Sequence, residues 1–203
     1  MPPTLRCEDV PRSPDYRRLA AIPGIRVELR YATADNFVGR DLYSPLDCAW
    51  LHADAAAALR NSAEWLSAAR PDLSLLVLDA LRPQRVQEQL WASLQGTNLL
   101  EYLADPARGS IHSFGMAVDV TLLDAAGHEL SMGTAFDDMT ELSHPVLEET
   151  LLARGALAAE AIGNRMLLRA AMQHGGWNGI NSEWWHFDCG EREAVRRRYV
   201  RVL

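Results

Sequence analysis

One stretch of the chain brings together side chains able to do chemistry: Ser110-Ile111-His112-Ser113-Phe114-Gly115-Met116-Ala117-Val118-Asp119. An imidazole and a carboxylate stand seven positions apart across a glycine. After Gly115, the residues Met116, Val118 and Val120 alternate with Ala117, Asp119 and Thr121, the period of a strand. Asp119 therefore falls in the middle of an apolar strand, where an isolated charge is too costly to leave unpaired. His112, turned back by residues 113–115, is the nearest partner. A second group, Glu183-Trp184-Trp185-His186, offers another imidazole and a spare carboxylate. Two histidines and one aspartate (His112, His186 and Asp119) make a tridentate zinc site with the fourth position open.

The other histidines read differently. His128 lies at a hairpin turn and His174 at a helix end beside Gly175, where a cation is welcome. His52 opens a helix and His144 precedes Pro145, so neither is expected to ligate. Cys189, three positions past His186 and without a Cys-x-x-Cys partner, reads as a small buried hydrophobe. Glu183 and His186 would face opposite sides of one regular strand. Both can face a metal only if Glu183 sits in the loop before the strand, with the tryptophans walling the site. In the alternative, Trp184 and Trp185 are core and Glu183 is surface; the spacing allows both. In Asp79-Ala80-Leu81-Arg82-Pro83-Gln84, Pro83 opens a helix, so Arg82 is extended and sits at the wrong end of the helix dipole for a cation. It is either held there to meet an anion or is a solvated loop arginine.

The elements that must position these groups follow in order. Residues 1–24, rich in Pro and Arg, read as an extended lead-in. Residues 25–31 alternate as a half-buried strand, 34–39 form a turn-rich loop, and 52–70 form an alanine-rich helix stopped at Pro71. Residues 73–78 are a continuous apolar strand, and a helix runs from Pro83 to about Leu94. A short helix is expected at 98–104. Asp124-Ala-Ala-Gly127 turns the Asp119 strand into a hairpin with residues 128–130. Residues 136–143 read as loop or frayed helix, and 158–174 as a strong helix with Ile162, Met166, Leu167 and Ala170 on one face, capped by Gly175-Gly176. A strand at 184–187 and a charged helix at 191–200 close the chain.

At 203 residues, 48% apolar and 23% charged, the sequence fits one globular domain with a real core. A formal charge of −7 argues against nucleic acid or an anionic membrane as the main partner and leaves room for a zwitterionic small substrate. The first residues lack an apolar signal-like region, and the three cysteines, an odd number, suit a reducing compartment. Cytoplasmic location is the expectation.

Taken together, Ser110-x-His112-x-x-Gly115-x-Ala117-x-Asp119 and Glu183-Trp184-Trp185-His186 resemble the D-alanyl-D-alanine dipeptidases, zinc peptidases related to lysostaphin-type enzymes and the hedgehog signalling domain. Further matches are Arg30-Tyr31-Ala32-Thr33-Ala34-Asp35-Asn36-Phe37, Asp79-Ala80-Leu81-Arg82-Pro83, Met132-Gly133-x-x-Phe136-Asp137 and Asn164-Arg165. The resemblance implies zinc, one ion per chain, on His112, Asp119 and His186, with Glu183 as general base and Arg82 as oxyanion stabiliser. It implies that Ser110, Tyr31 and Asp137 hold the termini of a dipeptide, Asp137 its ammonium. Position 114 departs from the pattern, Phe where the family commonly has Arg; if the ring lines the pocket, Phe114→Arg alters KM more than kcat. The expected fold is a single α+β domain over 1–203, a small, mainly antiparallel sheet carrying the site and flanked by helices. The expected reaction is hydrolysis of D-Ala-D-Ala to two D-alanines, for glycopeptide resistance or D-alanine salvage. The rivals are a muropeptide endo- or carboxypeptidase and a non-catalytic zinc-stabilised binding module.

Overall fold

The two most apolar runs of the sequence lie side by side at the centre of the molecule. The computed structural model describes residues 4–203, apart from the side chains of residues 98 and 101. In chain order its strands and helices are β1 (Thr4–Leu5), β2 (Tyr16–Arg18), β3 (Ile25–Val27), β4 (Trp50–His52), α1 (Ala53–Ala69), β5 (Ser74–Asp79), α2 (Gln84–Ser93), β6 (Ala117–Leu123), α3 (Glu148–Ala153), α4 (Ala159–His174), β7 (Trp177–Gly179), β8 (His186–Cys189), α5 (Arg192–Arg198) and β9 (Arg201–Val202).

The main sheet has the order β3-β5-β6-β8-β7. Its β3–β5 pair is parallel and the other pairs are antiparallel, so the sheet is small and mainly antiparallel. β6 is buried along its whole length because both faces are covered. Val118, Val120 and Leu122 join the core under α1 and α4, while Leu123 packs with Leu76 and Leu78 in a separate apolar cluster. By the same alternation Asp119 faces away from the helices. A register shift in β5 between Val77 and Asp79 sets Asp79 opposite Asp119; such irregularities re-aim side chains beside a site. This is the single-domain α+β architecture expected.

Three expectations need correction. Residues 4–24 are more than an extended lead-in: they form β1, a 3-10 turn (Cys7–Arg12) and β2, and they bury Cys7, Val10, Tyr16 and Leu19. Irregularly spaced apolar residues give no periodic signal, yet Cys7, Val10 and Tyr16 fill a second cluster with Tyr31, Tyr43 and Leu81, while Leu19 joins the main core. Residues 1–3 lie outside the described residues. The buried face of α4 is Ala161, Arg165, Leu168, Ala171 and Met172, whereas Met166 is exposed. Arg165 can be buried because its guanidinium donates to Met132 O at 2.7 Å and to Leu142 O at 2.9 Å. The hairpin after β6 shrinks to a single bridge between Leu123 and Glu129.

Candidate metal centre and active site

Gly115 makes the turn that faces His112 toward Asp119. Its φ is +65°, and a Cβ there would lie 2.8 Å from His52 N, so both conformation and space require glycine. The turn before it, a 3-10 segment (Ile111–Phe114), buries His112. Register then does the rest: Asp119 of β6 pairs directly with His186 of β8.

The three side chains converge. His186 Nδ1 is 2.9 Å from Asp119 Oδ1, His112 Nε2 is 3.4 Å from the same oxygen, and the two imidazole nitrogens are 3.2 Å apart. One potential ligand atom from each of His112, Asp119 and His186 lies within 4.8 Å of the others. The remaining imidazole nitrogens are used elsewhere: His112 Nδ1 donates to Ala80 O at 2.7 Å and His186 Nε2 to Asp188 Oδ1 at 2.9 Å. Those outer acceptors select the tautomers that leave His112 Nε2 and His186 Nδ1 as lone-pair donors beside a carboxylate oxygen. Two lone pairs meeting at 3.2 Å need either a proton or a cation between them. A divalent metal ion suits this buried N, N, O set.

Electrostatics point the same way. Burial disfavours charge on Asp119, yet His112 and His186 outweigh it and hold the carboxyl far below its usual range. Burial likewise opposes charge on His186, but Asp188 and Asp119 pull it up to about 10. The cluster wants positive charge at its centre.

Glu183 sits in the loop before β8, the condition under which it can share a side with His186. It lines the same cavity as all three potential ligands. Burial pushes its carboxyl up to about 7, against the pull of His186 and with the push of Asp119. A carboxyl so placed can take and return a proton near neutrality. Trp185 also lines the cavity, and both tryptophans are buried, so the walling and core readings of the pair are joined.

Arg82 meets anions, but within the protein. Its Nε and Nη2 donate to Asp79 Oδ2 at 2.9 and 2.7 Å, Nη2 lies 3.5 Å from Asp119 Oδ2, and Nη1 donates to Gln87 Oε1 at 3.1 Å. Tyr43 donates to the other oxygen of Asp79. Four of five guanidinium donors are engaged, which leaves one on Nη1 for a visitor. The guanidinium also lies 4.9 Å from the Tyr31 ring centroid.

Tyr31 in turn donates from its hydroxyl to Asp137 Oδ1 at 3.0 Å, while Asp137 Oδ2 is buried without a partner. Asp137 has φ +63°, which aspartate tolerates better than most residues and which recurs at functional positions. Burial, with Asp119 adding, raises its carboxyl well above the ordinary range, so an incoming cation would be welcome. Ser110 is buried and lines the cavity at the start of the His112 turn. The space enclosed is about 220 Å³, below the usual range for drug-sized ligands and right for a very small molecule.

Phe114 does not line this cavity. It is 2% exposed within the core, with the Arg201 guanidinium 5.4 Å from its ring centroid. The expected KM effect of Phe114→Arg is therefore replaced by an effect on folding. A second cation under Arg201, buried and unpaired, should cost at least about 4 kcal/mol, a fall in Tm of roughly 8–16 °C for a chain of this size. Calorimetry of the variant checks this.

The remaining histidines fall outside the cluster: His52 Nδ1 caps α1 by accepting from Asp54 N at 3.2 Å, His144 Nε2 meets the Tyr102 hydroxyl at 3.0 Å, His174 stacks on Trp65 and His128 is exposed. Cys189 is partly buried and apart from it. Sequence reasoning missed Asp188 and the clamp on it: Arg192 Nε donates to Asp188 Oδ2 at 2.6 Å. The signal was present, since positions 186 and 188 of one strand face the same side.

A family model described as D-ala-D-ala dipeptidase matches residues 15–203. The D-alanyl-D-alanine dipeptidase of Escherichia coli (strain K12) is 41% identical over 167 residues, 82% of this chain and 79% of that protein. The D-alanyl-D-alanine dipeptidase of Enterococcus faecium is 31% identical over 185 residues, covering 82% of this chain and 86% of the relative. That of Enterococcus faecalis (strain ATCC 700802 / V583) is 33% identical over 181 residues, with coverage of 81% and 85%.

Proposed function

Because this chain belongs to the D-Ala-D-Ala dipeptidase family of metallopeptidases, we propose that it hydrolyses D-Ala-D-Ala to two D-alanines with zinc held by His112, Asp119 and His186. The observation that carries the reading is the meeting of these three side chains with Glu183 and Arg82 on one small cavity. Zinc, when bound, supplies Lewis acidity toward the peptide carbonyl and eases the ionisation of water. Glu183 accepts the proton of the attacking water and passes it to the leaving amine, two transfers suited to a carboxyl near neutrality. The free Nη1 donor of Arg82 faces the charge that grows on the carbonyl oxygen, worth roughly 3–4 kcal/mol for a well-placed donor. Asp79, Gln87 and Tyr43 keep that guanidinium from rotating away.

The orphaned Oδ2 of Asp137 suits an ammonium, with Tyr31 fixing the carboxyl from its other oxygen. An ammonium at that spot favours a free N-terminus, which speaks for a dipeptidase over an endopeptidase on longer muropeptides. A binding module needs neither Glu183 nor the Arg82 clamp. Consuming the dipeptide would serve precursor removal in glycopeptide resistance, and releasing D-alanine would serve salvage from wall turnover. Among the described residues, no helix is long and apolar enough to cross a membrane. A cytoplasmic setting is supported by the cysteine usage.

Asp137→Asn keeps the shape and tolerates the same backbone conformation, but removes the charge that holds the ammonium. The loss of one charge-assisted hydrogen bond, about 1.5–3 kcal/mol, should raise KM for D-Ala-D-Ala by about 10- to 100-fold and change kcat much less. Steady-state kinetics check the split, and a pure kcat loss would assign Asp137 elsewhere.

A further inference from the structure

Three arginines line the cavity, and they differ in what their guanidiniums are doing. Arg82 is engaged by Asp79, Gln87 and Asp119. Arg196 donates from Nε and Nη2 to Gly109 O at 3.2 and 3.1 Å, and from Nη1 to Glu193 Oε1 at 2.7 Å. Arg192 differs: its Nε is held by Asp188 Oδ2 at 2.6 Å, and neither of its terminal nitrogens has a partner among the described residues. The side chain is 49% exposed, so this guanidinium is anchored at one edge and open at the other.

Charges of both signs line the cavity. Asp137, with its unpaired oxygen, is among the lining residues. So are Arg192 and Arg196 of α5, which packs against the turn that begins after Ser110. The influence of Arg192 reaches the catalytic carboxyl, since its charge helps to lower Glu183 against burial. A zwitterion of dipeptide size carries the complementary pair of charges.

We propose that the open guanidinium edge of Arg192, held in place by Asp188, is the subsite for the free C-terminal carboxylate of the substrate. This rests on the dipeptidase reading and adds what recognises the second terminus. A guanidinium fixed through Nε presents its two Nη groups as a fork, the geometry that carboxylates accept in bidentate fashion. Asp188 also accepts from His186 Nε2, so the residue that anchors the carboxylate fork is the one that orients a metal ligand. Arg192 itself takes no part in bond making. It is a positioning and specificity residue.

The test compares D-Ala-D-Ala with its C-terminal amide, which keeps the ammonium and the peptide bond but loses the carboxylate charge. Arg192→Gln keeps a donor for Asp188, and the exposure of the side chain spares the fold, checked by thermal unfolding. Wild-type protein should favour the acid over the amide by at least about tenfold in kcat/KM, with the preference in KM. In Arg192→Gln the acid should lose about 10- to 100-fold through KM, the amide should change little, and the preference should collapse. Arg192→Lys, a point charge without the fork, should fall between. Binding of both peptides to Glu183→Gln protein, with and without Arg192→Gln, reads the same preference with turnover removed. An acid preference that survives Arg192→Gln, or an equal loss on acid and amide, overturns the subsite while the hydrolase reading stands. A wild-type protein that neither binds nor cleaves D-Ala-D-Ala overturns both.

Discussion

Glu183→Gln should cut turnover of D-Ala-D-Ala by at least 10²- to 10⁴-fold, the range over which a positioned general base typically acts, and leave metal binding intact. Glutamine keeps the size and hydrogen-bonding reach of the side chain but cannot accept the proton. The potential ligands His112, Asp119 and His186 are untouched, and Glu183 is not needed to close their cluster. The loss should appear mainly in kcat, because the proton moves only on the way to the transition state. The pH profile gives a second reading. Burial places the carboxyl at about 7, and a bound dication would pull it lower, so wild-type activity should fall on the acid side as Glu183 takes up a proton. That limb should vanish in Glu183→Gln. Metal loss in the variant would make Glu183 a ligand, and unchanged turnover would mean that another group activates the water.

His112→Ala and His186→Ala should each abolish stoichiometric zinc and activity together. Two remaining protein ligands hold zinc poorly, since its catalytic sites ordinarily use three. The two variants should differ in stability. Removing His186 takes the shared partner from Asp119 and Asp188 in a buried setting and leaves them to Arg82 and Arg192. The cost should be a part of the about 3–5 kcal/mol of a broken buried pair. Removing His112 leaves Asp119 still paired with His186 at 2.9 Å, so that variant should unfold at a higher temperature than His186→Ala. Metal analysis after dialysis, with circular dichroism as the folding check, decides it. Full zinc occupancy in both variants rules out this ligand set.

Much of the site was legible because its residues break local rules. Asp119 interrupts an apolar strand, and an extended arginine precedes a helix-opening proline; both anomalies are answered by partners in the structure. The loop position of Glu183 was readable as a condition, since period-two alternation forbids it to share a face with His186 in one strand. What stayed hidden were partners whose meaning depends on long-range pairing. Asp188 and Arg192 form an i,i+4 ion pair next to the cavity, yet in sequence they look like a turn and a charged helix. The placing of Asp79, the partner of Arg82, opposite Asp119 comes with the β5 register shift, which no pattern announces. The α4 face was misassigned because it was read from apolar residues alone, whereas the buried face includes Arg165, which donates to two backbone carbonyls inside. A pocket position for Phe114 was a condition taken from the family pattern; the ring is buried in the core instead.

The most direct measurement is alanine release by zinc-loaded protein from D-Ala-D-Ala, L-Ala-L-Ala and N-acetyl-D-Ala-D-Ala under identical conditions. The account predicts rapid release from D-Ala-D-Ala and little from the N-acetylated peptide, whose missing ammonium leaves Asp137 Oδ2 without a partner. No alanine from D-Ala-D-Ala at full zinc occupancy, or equal cleavage of the N-acetylated peptide, would contradict it.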